Sequence, residues 1–136
     1  MRSIFVDTGF IIALESVTDQ NHERASKLWN ELLKNFPLMV TTTYVISEIV
    51  TFFNSRSRHA KEIEIGNRLL NSRSVQVIHI DKGLFDKGWQ HFQQHTDKTY
   101  SLTDCISFIV MKEQGCEPAL SFDKHFTQAG FKVLPL

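Results

Sequence analysis

The stretch SIFVDTGFIIALE, residues 3–15, decides the fold. Its first five residues form a short apolar run of the kind that makes a brief, fully buried strand. TGFIIALE then reads as a helix, and Asp7 or Thr8 stands where an N-cap belongs. An apolar strand running straight into a helix, with an acid at the junction, is the repeating unit of a parallel sheet.

Working outward, the same alternation continues to the end of the chain. A helix is expected over about 21–36, where Ala25, Leu28, Trp29, Leu32, Leu33 and Phe36 recur at three- and four-residue steps. Pro37 stops it. LMVT at 38–41 reads as a second strand, followed by the helix TYVISEIVTFFNS, the polar break SRSRHAK and a helix over about 60–72. VQVIHI at 75–80 is a third strand, and the helix after it carries Leu84, Phe85, Trp89 and Phe92 on one face. SLTDCISFIVMKEQG forms another helix, with Gly115 placed for a left-handed C-terminal cap. ALSF and FKVLPL are the last strands, separated by DKHFTQAG. No repeat, low-complexity tract or linker interrupts this order. One α/β domain spanning 1–136 is expected, a parallel sheet with helices on both faces. In such sheets ligands sit beyond the carboxyl ends of the strands.

Composition is compatible with that reading. The 136 residues include 42% hydrophobic side chains, 11 of them Phe, enough for a core and too many for a disordered chain. The N-terminal stretch lacks the layout of a secretory signal, and no run approaches the roughly 18 apolar residues of a membrane span. A soluble, cytoplasmic protein is expected. Fifteen basic side chains balance fifteen acidic ones, which argues against non-specific coating of nucleic acid but not against a local basic groove. Cys105 and Cys116 have neither CxxC nor zinc-finger spacing. Cys105 lies in the apolar run CISFIVM and reads as a small buried hydrophobe; no disulfide is expected.

Four carboxylates hold the chemical interest. Asp7 closes SIFVD and Asp123 closes ALSFD, and each could simply cap the helix that follows. Asp104 lies in the first turn of a helix, where a negative charge suits the helix dipole. Glu48 interrupts YVISEIVTFF, with Tyr44, Val45, Thr51 and Phe52 as its helical neighbours. A carboxylate buried there needs a salt-bridge partner or a metal, because leaving it unpaired costs several kcal/mol or shifts its pKa. Taken together, a parallel sheet could aim all four at one cleft. Their mutual repulsion, about 1 to 4 kcal/mol per close pair, is relieved by a divalent cation, and all-oxygen ligands suit Mg²⁺ or Mn²⁺ better than zinc.

At these residues the sequence resembles the PIN-domain nucleases, particularly the compact prokaryotic type that includes the VapC toxins of toxin–antitoxin pairs. The resemblance covers essentially the whole chain and rests on IFVDTGFIIAL, TTTYVISEIVTFF, YSLTDCISFIVM and ALSFDKHFTQAGFKVL. It implies a parallel sheet flanked by helices and a metal-dependent endoribonuclease acting on single-stranded or structured RNA. The positions matching the family's catalytic, metal-holding acids are Asp7, Glu48, Asp104 and Asp123, with Thr8 and Ser121 lining the site. It also implies Mg²⁺ or Mn²⁺ as cofactor, a homodimer, and an antitoxin that restrains the enzyme, an Arg of which could enter the acid cluster while a helix lies on the second and Glu48 helices. One departure is Gly9, where many members carry Ser or Asn.

Other residues carry weaker expectations. Arg56, Arg58 and Lys61, with His59, form a basic stretch that could be a solvated turn or a rim for RNA phosphates. Asp81 is expected to cap the helix after the third strand and to stay outside the site. His22, His79, His91, His95 and His125 are given no metal role. An RNA-processing nuclease without a toxin role, and a non-catalytic PIN module, are the alternatives within the family. A haloacid-dehalogenase-like phosphatase would want DxD where this chain reads DTG, and a receiver domain would want an acidic pair where Asp7 stands alone.

Overall fold

The computed structural model describes residues 3–35, 37–56 and 59–136. In chain order the elements are β1 (Ile4–Val6), α1 (Thr8–Glu15), α2 (His22–Leu33), β2 (Met39–Thr42), α3 (Thr43–Asn54) and α4 (His59–Leu70). They continue with β3 (Val75–Ile78), α5 (Lys82–Gln94), α6 (Leu102–Gln114), β4 (Ala119–Leu120), α7 (Lys124–Gln128) and β5 (Val133–Leu134).

The five strands form one sheet in the order β3-β2-β1-β4-β5, and every pairing is parallel. Phe5 stands opposite Val40 on one side and Ala119 on the other, so the first strand occupies the centre. The chain builds outward from β1 through β2 to β3, then returns to lay β4 and β5 on the opposite side. Right-handed crossovers therefore send α1–α4 to one face and α5–α7 to the other. The order reverses between β1 and β4, and the crevice beyond the carboxyl ends of those two strands is where such a sheet receives a ligand.

Buried aromatic rings fix the central strand. Phe5 packs on Phe126 at a centroid distance of 6.1 Å, and Phe126 meets Phe108 edge-on at 5.1 Å. This pins α6 and α7 to one sheet face. On the other, Phe10, Val45, Ile49, Phe53 and Ile65 from α1, α3 and α4 are fully enclosed. Gly88 of α5 permits the closest helix approach: a Cβ there would lie 2.4 Å from Ile106 Cγ1 and 3.2 Å from its Cα. Gly115 adopts φ 67° as the left-handed cap of α6, as its position predicts.

Several boundaries are shorter than the sequence implies. β4 holds only Ala119 and Leu120, because the Ser121 hydroxyl accepts the Asp123 amide and bends the chain. β3 stops at Ile78, so Asp81 follows an irregular step rather than closing the strand. α2 ends at Leu33, which is 39% exposed rather than part of the buried stripe; Phe36 lies outside the described residues. Cys105 and Cys116 are both buried free thiols. No helix among the described residues is long and apolar enough to cross a membrane.

Candidate active site

Two strand ends and one helix start deliver the central acids. Asp7 follows β1 directly and occupies the N-cap position of α1, yet makes no capping bond into that helix. Its carboxylate faces the switch point instead, where Oδ2 accepts the Ser121 hydroxyl at 2.9 Å. Burial pushes the Asp7 carboxyl up to about 7, and the nearby charges of Asp104 and Asp123 add to the rise, against the lowering effect of the Ser121 hydroxyl and the Thr8 amide.

Asp104 is the third residue of α6. It forms a capping box with Ser101, each backbone N–H donating to the other residue's side chain at 3.0 Å. Asp123 accepts the His125 amide at 2.9 Å and so caps α7. The bland roles read for these two residues thus hold, and they fix the carboxylates in place rather than competing with a site.

His125 lies among them. Its Nδ1 is 2.8 Å from Asp104 Oδ2 and 3.1 Å from Asp123 Oδ1, while Nε2 meets the Thr99 hydroxyl at 2.9 Å. Ligand atoms of Asp104, Asp123 and His125 all fall within 4.8 Å of one another. The sequence reading gave His125 no such part. The available signal was its place two residues beyond Asp123, in the turn that α7 tightens. His91 and His95, one helical turn apart, stack on each other at 4.0 Å.

Glu48 corrects the expectation of a buried carboxylate. The enclosed stripe of α3 is Val45, Ile49 and Phe53, and Glu48 sits beside it on the exposed edge. Thr8 Oγ1 donates to Glu48 Oε1 at 2.7 Å, which ties this acid to the residue after Asp7. Glu48 also borders a shallow hollow with Thr43, Tyr44, Ser47 and Thr103, next to Asp104 in sequence. The structure therefore gathers Asp104, Asp123 and His125 within 4.8 Å, joins Asp7 to them through Ser121 and their shared charge, and places Glu48 at the margin through Thr8.

The remaining expectations fall away from this cluster. Asp81 caps α5, accepting the Leu84 amide at 2.9 Å, at the sheet edge formed by β3. Arg56 folds back over the Phe52 ring at 3.7 Å and donates to the Phe52 carbonyl. Lys61 lies 3.7 Å from Glu15, which Arg68 also pairs. Arg58 and the His59 side chain lie outside the described residues.

A buried carboxyl held near neutrality beside two further acids, with oxygen donors and one imidazole, is a donor set that fits Mg²⁺ or Mn²⁺. The parallel sheet and its strand-end acids define the class, and the chain belongs to the PIN domain family, whose pattern matches residues 4–132. Among characterised relatives, it is 34% identical over 128 residues to the 23S rRNA-specific endonuclease VapC20 of Mycobacterium tuberculosis, covering 94% of this chain and 95% of that one. The crystal structure of that protein, described as a Sarcin-Ricin loop cleaving toxin, superposes with a TM-score of 0.86 at 32% identity, covering 95% of this chain and 96% of the other. FitAcB from Neisseria gonorrhoeae shares the fold, with a TM-score of 0.67 at 15% identity and coverage of 96% and 95%.

Proposed function

We propose that this protein is an endoribonuclease of the toxin type, cutting a structured RNA such as the 23S rRNA that its relative cleaves. The observation that carries the reading is the convergence of Asp7, Asp104 and Asp123 at the switch point, with Asp7 raised to about 7 by burial and its acidic neighbours. Asp7, Asp104 and Asp123 would hold the Mg²⁺ or Mn²⁺ ion, with Glu48 at its open side. When bound, such an ion neutralises developing charge on phosphoryl oxygens and eases deprotonation of water.

The protein's own groups orient these acids. Ser121 fixes the Asp7 carboxylate while holding the Asp123 loop. Thr8 aims Glu48, which faces solvent at the margin of the cluster. Ser101 holds Asp104 through two reciprocal hydrogen bonds.

An antitoxin restrains the enzyme in this reading, supported by the toxin relative. A guanidinium from that partner would pair with the clustered acids in place of the ion. A homodimer belongs to the same proposal, with the α5 face, where Trp89 stacks between Phe85 and Phe92 and is 44% exposed, as the surface a second copy would cover.

The test is incubation of purified protein with intact ribosomes and with 23S rRNA, with and without Mn²⁺, followed by mapping of new RNA ends. One discrete cut that vanishes with EDTA and in Asp104→Asn protein is expected. Cleavage that survives full chelation, or none under any metal, overturns the reading. Expression alone should arrest growth, and expression with the neighbouring small reading frame should restore it.

A further inference from the structure

Beside the acids lies a second depression of about 240 Å³, walled by Arg24, Phe122, Lys124, Thr127, Val133 and Pro135. Ser121 and Asp123 also line it, so it opens directly onto the acid cluster. Several cations elsewhere on the surface are engaged by acids, while among the described residues Lys27, Lys34, Arg73 and Lys112 form no ion pair and lie outside this depression. Lys61 and Arg68 are engaged by Glu15, Lys82 by Asp86, Lys87 by Glu113 and Lys132 by Glu117. Among the described residues, neither Arg24 nor Lys124 pairs with a carboxylate side chain, although both are exposed.

Arg24 is nevertheless held in place. Its guanidinium lies 5.4 Å from the Phe122 ring centroid and donates to the Leu136 main-chain oxygen at 3.3 Å. Phe122 in turn stacks on the buried Phe10 ring at 5.7 Å with planes 14° apart. A planar cation anchored to the core through one aromatic ring keeps most of its donors free and loses little freedom on binding.

Resting on the endoribonuclease reading above, we infer that this depression holds the phosphodiester backbone next to the bond being cut. Arg24 and Lys124 grip non-reacting phosphates while the acids and their ion take the reacting one. Two cations that no acid side chain engages and a Thr127 hydroxyl match phosphate oxygens. An acidic protein segment fits less well, since its carboxylates would face Asp123 with no ion of their own. The basic contact surface is thus on α2 and at the start of α7.

Binding of a labelled RNA hairpin, measured by fluorescence anisotropy at several salt concentrations, tests this in an Asp7→Asn background that leaves the RNA intact. Arg24→Gln and Lys124→Gln are each expected to weaken binding roughly three- to tenfold and to lower the slope of log affinity against log salt by about one. Arg24→Lys keeps the salt slope, and Lys87→Gln and Lys132→Gln, whose cations are already engaged, leave both quantities unchanged. An Arg24→Gln/Lys124→Gln double variant with unaltered affinity and slope overturns the inference while leaving the nuclease reading intact, provided the wild type cuts RNA. Failure of the wild type to cut RNA overturns both. Retained RNA binding with lost capture of the antitoxin overturns it in favour of a protein-docking surface.

Discussion

The Ser121 hydroxyl donates to Asp7 Oδ2 at 2.9 Å while accepting the Asp123 amide at 3.0 Å, joining the ends of two neighbouring strands across the switch point. One small side chain thus positions two of the acids. Ser121→Ala removes a donor from a buried carboxylate, and a loss of about 1–3 kcal/mol at neutral pH is expected. Denaturant unfolding of metal-free protein measures it. A change below experimental error would show that the bond does not organise the site.

The second prediction concerns pH. Asp7 has a folded-state pKa of about 7 against an ordinary value of 3.8. The folded state therefore holds the proton more tightly than the unfolded one, and stability from this group is full below about pH 4 and falls as pH rises toward 7. At about 1.4 kcal/mol per pH unit the loss reaches at most about 4 kcal/mol. Melting of EDTA-treated wild type should drop across this window, and Asp7→Asn should flatten the curve and melt higher at pH 8. Added Mn²⁺ should raise the wild-type Tm at that pH far more than the variant's. Parallel curves for the two proteins would rule the account out.

Asp81 provides the contrast. Its Oδ1 accepts the Leu84 amide at 2.9 Å, beyond the edge strand β3. Asp81→Ala is expected to cost about 1 kcal/mol of stability and to leave the cleavage rate of metal-saturated protein essentially unchanged. A hundredfold slower variant with a normal melting profile would place Asp81 in the machinery after all.

Helix packing yields the fourth prediction. A methyl at Gly88 meets both the side chain and the backbone of Ile106, and a backbone cannot rotate away. Gly88→Ala should cost about 1–3 kcal/mol through overpacking. Because Ile106 is two residues from Asp104, weaker Mn²⁺ binding should accompany the lower Tm. Wild-type stability in this variant would mean that α5 and α6 approach less closely than described.

Most of the fold was legible because each apolar run announces its own period. SIFVD and VQVIHI read as strands and the Ala25, Leu28, Leu32 stripe as a helix, and the parallel sheet follows from their alternation. The positions of Asp7, Asp104 and Asp123 were legible too, since strand ends and helix starts are local features. What escaped depends on contacts across the chain. Periodicity places Glu48 beside the Val45–Ile49–Phe53 stripe but cannot say which side of that border is covered. His125 reaches Asp104 from 21 positions away, and its place two residues beyond Asp123 does not by itself reveal that contact. The seat of Arg24 on Phe122, in one depression with Lys124, likewise depends on residues far apart in the chain.

The central position of β1 has a temporal consequence. Asp7 precedes its partner Ser121 by 114 positions. Asp123 follows still later, and β4, the strand that brings both beside β1, cannot pair until α6 has been made. A nascent chain thus carries Asp7 well before Ser121 and Asp123 and cannot assemble the full acid cluster. In the proposed reading, cleavage therefore waits until the span carrying Ser121 and Asp123 has been made.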